Sequence, residues 1–278
     1  MRYLRCVLGV IAFLFISVSF AEESNPFTSL NWQIGPTKAR IGDQASLDIP
    51  NRYVFLGAED TKKFMELNQN LPNGRQYIFA PDDLHWFAVF QFNPIGYVKD
   101  DETINAEALL NTMKENTEAG NIERKKRGWR TMSIEGWQYP PHYDNQSKRL
   151  EWAYLAKDNN DNKPIINYNT RLLGRTGVME VILVAEPAIL DPSVESLKTA
   201  LNDYDFALGE KYAEFREGDH VAEYGLAALV AGGAAAVAAK KGFFTVILGF
   251  LAAAWKFVAI AVFGFLAWLK SLFSKNDK

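Results

Sequence analysis

The stretch Trp86-Phe87-Ala88-Val89-Phe90-Gln91-Phe92 decides how the middle of this chain is expected to fold. Six of its seven residues are apolar, and most of them are aromatic or β-branched. Such residues favour strands, and a nearly continuous apolar run is typical of a strand that is covered on both faces. The stretch therefore predicts a strand inside a sheet that carries other elements on both sides.

Other strands are predicted around it. Runs of the same composition, separated by Gly, Pro, Asn and Asp, predict strands at Ala45–Ile49, Arg52–Leu56, Gln76–Phe79, His85–Phe92, Leu150–Lys157, Ile165–Leu173 and Val178–Ala185. Between the last two, Gly174 and Gly177 supply the backbone freedom that a tight hairpin needs.

Three helices are expected to interrupt these strands, at Thr61–Asn68, at Thr103–Arg127 and from Asp191 to about Leu201. The acidic run Asp100-Asp101-Glu102 invites a calcium hypothesis, but it also precedes the positive end of the long helix, which attracts carboxylates. The helix dipole is the simpler explanation. Because strands and helices do not alternate regularly, the pattern predicts an α+β domain with a mainly antiparallel sheet and about three helices.

The composition limits the class of protein. The chain has 278 residues, with 30 basic against 33 acidic side chains and a formal net charge of −3. No nucleic-acid partner is expected, because neutralising phosphates requires a basic surface. The one cysteine, Cys6, excludes a disulfide framework and a cysteine zinc site. Phosphate-binding glycine loops and the common hydrolase and zinc-protease motifs are absent from the sequence, so no cofactor is expected.

Residues 1–21 are predicted to be a secretory signal peptide. Arg2 and Arg5 precede an apolar run, and Ser19-Phe20-Ala21 offers small residues at the cleavage position. The alternative is an uncleaved anchor, although the run is short for a span of about 20 residues.

Near the other end, residues 243–269 are predicted to be a transmembrane helix. They contain one charge, Lys256, which either snorkels to an interface or faces a partner helix. A basic tail follows at 270–278. With a single span its lysines lie inside, as the positive-inside rule prefers; a helical hairpin with residues 225–239 is the alternative. The location expected is the bacterial inner membrane, with residues 22–206 as an exported, periplasmic domain and the bilayer as a partner.

Residues 207–224 are charged and glycine-punctuated, and we interpret them as a stalk between this domain and the membrane. The Ala/Gly-rich stretch 225–242 is expected to be helical. Its alanines Ala227, Ala231, Ala235 and Ala239 recur every four residues, a spacing that lets helix backbones approach closely. The stretch therefore predicts a packing face, either for a second copy of the chain in a homo-oligomer or for another envelope protein. The alternative is a helix without a partner.

The most site-like run is His142-Tyr143-Asp144 after two prolines. A histidine beside an aspartate serves as general base or metal ligand in many sites, so His142 and Asp144 are candidate catalytic residues. A rigid surface loop without activity is the alternative. A metal site would have to combine distant residues, namely His85, Asp82, Asp83, His142 and Asp144, and no metal is expected.

A second candidate site is the set Asn169, Arg171 and Arg175 around the predicted hairpin. Guanidinium groups suit carboxylate and phosphate, so these residues are candidates for binding an anion. The alternative is that the arginines form solvated pairs with nearby acids such as Glu180 or Glu151.

The chain resembles a bacterial family of uncharacterised membrane-anchored proteins, the domain-of-unknown-function family 2167. The resemblance extends from about Gly35 to Gly242. It is carried by Gly35-Pro36-Thr37, Ile41-Gly42-Asp43-Gln44-Ala45, Ala58-Glu59-Asp60-Thr61-Lys62-Lys63-Phe64-Met65, Gly96-Tyr97-Val98-Lys99-Asp100-Asp101-Glu102, Gly136-Trp137, Pro140-Pro141-His142-Tyr143-Asp144, Leu150-Glu151-Trp152-Ala153, Asn167-Tyr168-Asn169-Thr170-Arg171 with Gly174-Arg175 and Gly177, and Ala222-Glu223-Tyr224-Gly225. At Asn93-Pro94-Ile95 the chain lacks an expected acidic turn, which makes ion binding by that loop less favoured. The resemblance implies a signal peptide, an extracytoplasmic domain and a membrane anchor, without an activity.

Three functions are compatible with these features. The first is a membrane-anchored envelope protein of unknown activity that works by binding or assembly through its exported domain. The second is an envelope hydrolase or transferase that uses the His142/Asp144 loop. The third is an accessory role in membrane remodelling or transport, in which Lys256 acts inside the bilayer.

Overall fold

A computed structural model describes residues 26–232 of the chain. The expected signal peptide, transmembrane helix and basic tail lie outside the described residues, as do Ala235, Ala239 and Lys256. Within 26–232, none of the helices has the length and apolar character that crossing a bilayer requires.

The described part forms eleven strands and four α-helices. The strands are β1 (Gln33–Ile34), β2 (Thr37–Ile41), β3 (Ala45–Ile49), β4 (Tyr53–Leu56), β5 (Gln76–Pro81), β6 (Phe87–Asn93), β7 (Met132–Asp144), β8 (Arg149–Asp158), β9 (Pro164–Leu173), β10 (Val178–Ala185) and β11 (Tyr204–Phe206). The helices are α1 (Ala58–Leu67), α2 (Ala106–Lys126), α3 (Leu190–Ala200) and α4 (Leu226–Val230).

Eight strands form one sheet in the order β1-β4-β5-β6-β10-β9-β8-β7, and β11-β3-β2 form a second. Every neighbouring pair in both sheets is antiparallel. The prediction of an α+β fold with a mainly antiparallel sheet is confirmed, with four helices rather than three. The strand predicted from the opening stretch is β6, which pairs with β5 and β10 in the middle of the large sheet.

The large sheet is the middle layer of the fold. On one face, the small sheet and α3 pack against it around Phe79, Phe90 and Val181. On the other face, α1 packs near β4 and β5 through Phe64. On that same face α2 and α4 pack near β7 and β8, around Trp152. The strip between α1 and α2 is where the candidate site lies.

All three predicted helices begin at other residues than expected. Helix α1 begins at Ala58, three residues before Thr61. In α2 the side chain of Asn105 caps the helix by accepting a hydrogen bond from the Ala108 amide at 3.1 Å, so the helix starts at Ala106. In α3 the first helical residue is Leu190, and Asp191 lies in the first turn instead of at the cap.

Strand β7 corrects the prediction of a rigid loop at Pro140–Asp144. The strand is thirteen residues long and lies at the edge of the large sheet. Its register shifts three times, the last time between Tyr139 and His142. Prolines are tolerated in an edge strand because one side of that strand forms no hydrogen bonds to a neighbouring strand. Register shifts also make an exposed edge less able to pair with a strand of another chain. The two prolines therefore mark a sheet edge here.

The segment 207–224, which we interpreted as a stalk, packs against the domain. The Arg175 guanidinium binds the Asp219 carboxylate through two hydrogen bonds of 2.7 and 2.6 Å. Tyr212 is buried and donates to the Val98 carbonyl oxygen at 2.9 Å. The segment that we interpreted as a stalk is therefore attached to the domain through Asp219 and Tyr212.

The Ala/Gly-rich stretch is helical only at its start within the described residues. Helix α4 ends after Val230, and Gly232 has a positive φ of 108°, which a glycine adopts without strain. The Asn116 amide of α2 donates to the Ala231 carbonyl oxygen at 2.9 Å. Ala227 and Ala231 pack in the domain's own core. These two alanines therefore pack against residues of the same chain, and the role of Ala235 and Ala239 is a separate question.

Candidate functional site

Helix α2 crosses the large sheet without packing closely along its length. Only Leu109, Met113 and Asn121 of its twenty-one residues are buried. Asn121 joins α2 to β7: its amide donates to the Met132 carbonyl oxygen at 2.7 Å, and its oxygen accepts from the Met132 amide at 3.0 Å. Because most other residues of α2 are polar, the sheet between α1 and α2 is left partly uncovered.

Three rows of side chains cross this uncovered face at right angles to the strands, each with residues from β9, β10 and β6 in register. In an antiparallel pair, directly opposed residues point to the same face. The rows are Arg171–Glu180–Gln91, Asn169–Ile182–Val89 and Asn167–Val184–Phe87. The face is therefore charged on one side and apolar in its centre.

Two adjoining cavities lie over these rows, and we call them together the sheet cleft. The first has a volume of about 400 Å³, and its lining includes Asn169, Arg171, Trp152 and the end of α4 from Val230 to Gly232. The second has a volume of about 500 Å³ and extends between α1 and α2 over Phe87, Val89 and Val184. Both are lined by Thr117, Ile134, Tyr154 and Ile182. The shared walls make the cleft continuous along the sheet.

Arg171 is the buried charged group among the residues that line the cleft, and it is 6% exposed. Its one hydrogen bond in the described part of the chain runs from Nη1 to the Thr170 carbonyl oxygen, at 3.3 Å. The Nε atom is buried without an acceptor, and Arg171 forms no ion pair with any residue of 26–232. A guanidinium offers five N–H donors, so most of them have no partner here.

Two neighbours moderate this buried charge. The Trp152 ring lies beneath it, with the Arg171 guanidinium carbon 4.7 Å from the ring centroid. Glu180 is the cross-strand neighbour of Arg171, and its carboxylate accepts from the Asn93 amide at 3.2 Å. Burial lowers the pKa of Arg171 and the charge of Glu180 raises it, but an arginine stays protonated in proteins. The cleft therefore contains a permanent, incompletely satisfied cation.

A second unsatisfied donor lies in the same cavity. Trp152 is 2% exposed, and its indole N–H has no acceptor among the described residues. Buried donors without acceptors are rare in folded proteins and call for a specific explanation. Asn169, 3% exposed, donates its amide to the Asn167 carbonyl oxygen at 3.1 Å. A ligand with anionic oxygens would satisfy Arg171 and Trp152 together.

The structure separates the three residues predicted to bind an anion. Asn169 and Arg171 lie in the same cavity. Arg175 does not, because it is committed to the ion pair with Asp219 described above. The sequence analysis missed Trp152 and the apolar side chains that line the cleft. The signal that could have located the cleft was the alternation of the polar residues Asn167, Asn169 and Arg171 within the largely apolar strand β9.

His142 and Asp144 do not form a catalytic pair in the structure. His142 is exposed on β7 opposite Glu151 and lines a separate pocket of about 640 Å³ beside α3. Asp144 accepts hydrogen bonds from the Ser147 hydroxyl at 2.6 Å and the Gln146 amide at 2.9 Å, which lower its pKa. No hydrogen bond joins the two side chains in the described part of the chain. The local turn accounts for the contacts of Asp144.

The five residues named for a metal site do not come together as one group. The His85 ring contacts the Asp83 carboxylate, and no group of three or more His, Cys, Asp or Glu within residues 26–232 has a metal-binding arrangement.

The fold and the cleft define an α+β protein with a ligand-sized cavity between a sheet and the helices on it. A family profile described as "Protein of unknown function (DUF2167)" matches residues 33–265, and the chain belongs to this family. No curated protein matches the sequence. Among solved structures, the chain is similar to the solution structure of cyanobacterial PsbP (CyanoP) from Synechocystis sp. PCC 6803. The match has 8% sequence identity, covers 64% of this chain and 92% of that chain, and has a TM-score of 0.35. We transfer nothing from that similarity.

Proposed function

We propose that this protein is a membrane-anchored protein of the bacterial envelope whose exported domain binds a small organic anion in the sheet cleft. One observation carries the binding role: Arg171 is buried, faces a cavity and has no ion-pair partner within residues 26–232. Removing a charge from water without pairing it costs several kcal/mol of free energy. An anion bound to Arg171 would offset part of this cost.

The basic and apolar leader at 1–21 and the apolar run 243–269 support the location in the envelope. A topology reporter fused after Lys278 is expected to report the cytoplasmic side of the inner membrane. A reporter on the periplasmic side would contradict the single span. An assembly role through Ala235 and Ala239 remains a prediction.

The binding role is tested on the full-length chain, kept in solution with an amphipathic polymer. Hexanoate, benzoate and inorganic phosphate are titrated while tryptophan fluorescence and the unfolding temperature are measured, because Trp152 lies against the site. We expect saturable binding of at least one anion, lost in Arg171→Met. The matched control is Arg40→Met, an exposed arginine of the small sheet.

Two results would overturn the proposal. One is that no anion in the panel changes either signal. The other is that Arg171→Met binds as the unchanged protein does while circular dichroism shows it folded. Arg171→Gln serves as the second variant if the methionine variant does not fold.

A further inference from the structure

We infer that the ligand of the sheet cleft is a single-chain carboxylic acid, with its carboxylate on Arg171 and its hydrocarbon chain along the apolar floor between α1 and α2. This inference rests on the proposed function and names the class of ligand.

The charges around Arg171 favour a monoanion. The cleft offers one buried cation there, and Glu180, its cross-strand neighbour, adds a negative charge beside it. A carboxylate matches a single guanidinium with two parallel hydrogen bonds. A phosphate dianion would meet repulsion from Glu180 without a second cation to offset it.

The floor of the cleft is apolar where a sheet centre is normally covered. Ile182 and Val184 of β10 are half-buried, as is Phe87 of β6, although these are the two middle strands of the large sheet. Val89 completes the floor, and Met65 of α1 lies in one wall. An exposed apolar strip in a concave site is the usual feature of a pocket for an apolar group.

The register gives the direction of this strip. Asn169, Ile182 and Val89 oppose one another on three adjacent strands, and Trp152 on β8 continues the row. At about 4.8 Å per strand, the three steps from Trp152 to Val89 span roughly 14 Å. A linear chain fits this strip better than a compact ring, because the two cavities meet end to end along it.

Most charges at the far end of the cleft are already paired. Arg130 binds Asp158 at 2.9 Å and Asp161 at 2.6 Å, and Lys163 binds Glu186 at 2.7 Å. Arg124 also lies there without an ion pair within residues 26–232, but it is partly exposed, donates from Nε to the Arg130 carbonyl oxygen and lies over the Trp129 ring. These groups do not need an anion. The head group is therefore assigned to the Arg171 end alone.

The test is a chain-length series on the full-length chain in the same amphipathic polymer, with hexanoate, decanoate, decanol and decyl phosphate. Burying further methylenes strengthens binding, so decanoate is expected to bind at least tenfold more tightly than hexanoate. Decanol and decyl phosphate are each expected to bind at least tenfold more weakly than decanoate.

A variant of the apolar floor separates the contribution of the ligand's hydrocarbon chain to the affinity from that of its carboxylate. Val184→Gln is expected to reduce decanoate affinity at least fivefold and to leave hexanoate within twofold, because Val184 lines only the second cavity. Phe87→Gln, also in the second cavity alone, is the second variant if that protein does not fold. The control is Ile34→Gln, which changes an isoleucine that is 71% exposed at the sheet edge.

The outcomes separate the two proposals. If hexanoate and decanoate bind equally and both require Arg171, the anion site stands and the chain inference fails. If decanol binds as tightly as decanoate, or decyl phosphate more tightly, the carboxylate assignment fails. If no probe binds, as when another segment of the chain fills the cleft, both proposals fail. Both also fail if decanoate binding is unaffected by Arg171→Met and by Val184→Gln.

Discussion

The guanidinium of Arg171 stacks on the indole of Trp152, with 4.7 Å between the guanidinium carbon and the ring centroid. A desolvated cation–π contact of this kind contributes about 2 kcal/mol. The desolvation of an ion inside a protein costs several kcal/mol, so the contact offsets only part of it. The remaining cost lowers the stability of the ligand-free domain, and an anion on Arg171 would reduce it.

Arg171→Met is therefore expected to stabilise the ligand-free protein. An apolar side chain of similar length replaces a buried, unpaired charge, and such replacements of buried charges are often stabilising by about 1–4 kcal/mol. The free energy of unfolding is measured by urea denaturation of the full-length chain, monitored by tryptophan fluorescence.

Arg40→Met is the control for this substitution, because Arg40 forms a solvated pair with Asp43. A change within about 0.5 kcal/mol is expected there. A loss of more than about 1 kcal/mol in Arg171→Met would show instead that the arginine stabilises the fold.

Asp219→Asn is expected to weaken the attachment of residues 207–224 in a pH-dependent way. The Arg175 guanidinium lowers the pKa of Asp219 to about 2 from an ordinary value of 3.8. A carboxylate with a lowered pKa stabilises the fold above its unfolded pKa and loses this contribution as the pH falls through the folded pKa.

The measurement compares urea midpoints of the unchanged protein and Asp219→Asn at several pH values. The unchanged protein should be the more stable at pH 7, and the difference should shrink between pH 3.8 and about 2. Asp43→Asn, at a 92% exposed carboxylate, is the control. A constant difference across this range would argue against the ion pair as its cause.

Asn121→Ala is expected to destabilise the domain. Its side chain makes two hydrogen bonds to the backbone of Met132, and removing them leaves partly buried polar groups without those partners. A loss of about 2 kcal/mol follows from about 1 kcal/mol for each bond.

Asn160→Ala, in an exposed turn, provides the comparison for this variant. If Asn121→Ala and Asn160→Ala have the same free energy of unfolding, the link between α2 and β7 contributes nothing. Such a result would also mean that contacts other than those of Asn121 hold α2 over the cleft.

Glu102→Ala is expected to loosen α4. The Glu102 carboxylate accepts a hydrogen bond from the Ala227 amide at 3.0 Å, at the positive end of this short helix. Such a contact contributes about 0.3–1 kcal/mol, which corresponds to up to about fivefold faster amide exchange in residues 226–230.

Hydrogen–deuterium exchange of the full-length chain measures this effect. Glu107→Ala, in the first turn of α2, is the control and should leave α4 unchanged. Unaltered exchange at Ala227 in Glu102→Ala would contradict the capping role.

Much of the sheet could be predicted from the sequence because its strands are short, apolar and punctuated. Ala45–Ile49 and Val178–Ala185 coincide with β3 and β10. Strand β7 was missed because two prolines and a glycine interrupt it, which is tolerated only at a sheet edge. Edge position depends on the order of strands, and local composition does not reveal it.

The site was predictable only in part. The residue types at Asn169 and Arg171 suggested anion binding, but Arg175 has the same type and is neutralised by Asp219, which lies 44 residues away in the chain. Whether an arginine is free depends on such distant contacts. The apolar floor was hidden for a similar reason, since its exposure depends on how α2, which is mostly polar, lies on the sheet.

The end of α4 has a mechanical consequence. Val230, Ala231 and Gly232 line the cavity that holds Arg171, and the chain continues from Gly232 toward the apolar run 243–269. The lining of the cavity and the start of the segment that leads to this run are thus one piece of backbone, fixed by the bond from Asn116 to Ala231. If the run anchors the chain as proposed, tension from the anchor would act first on this lining, and ligand binding would act on the same few residues.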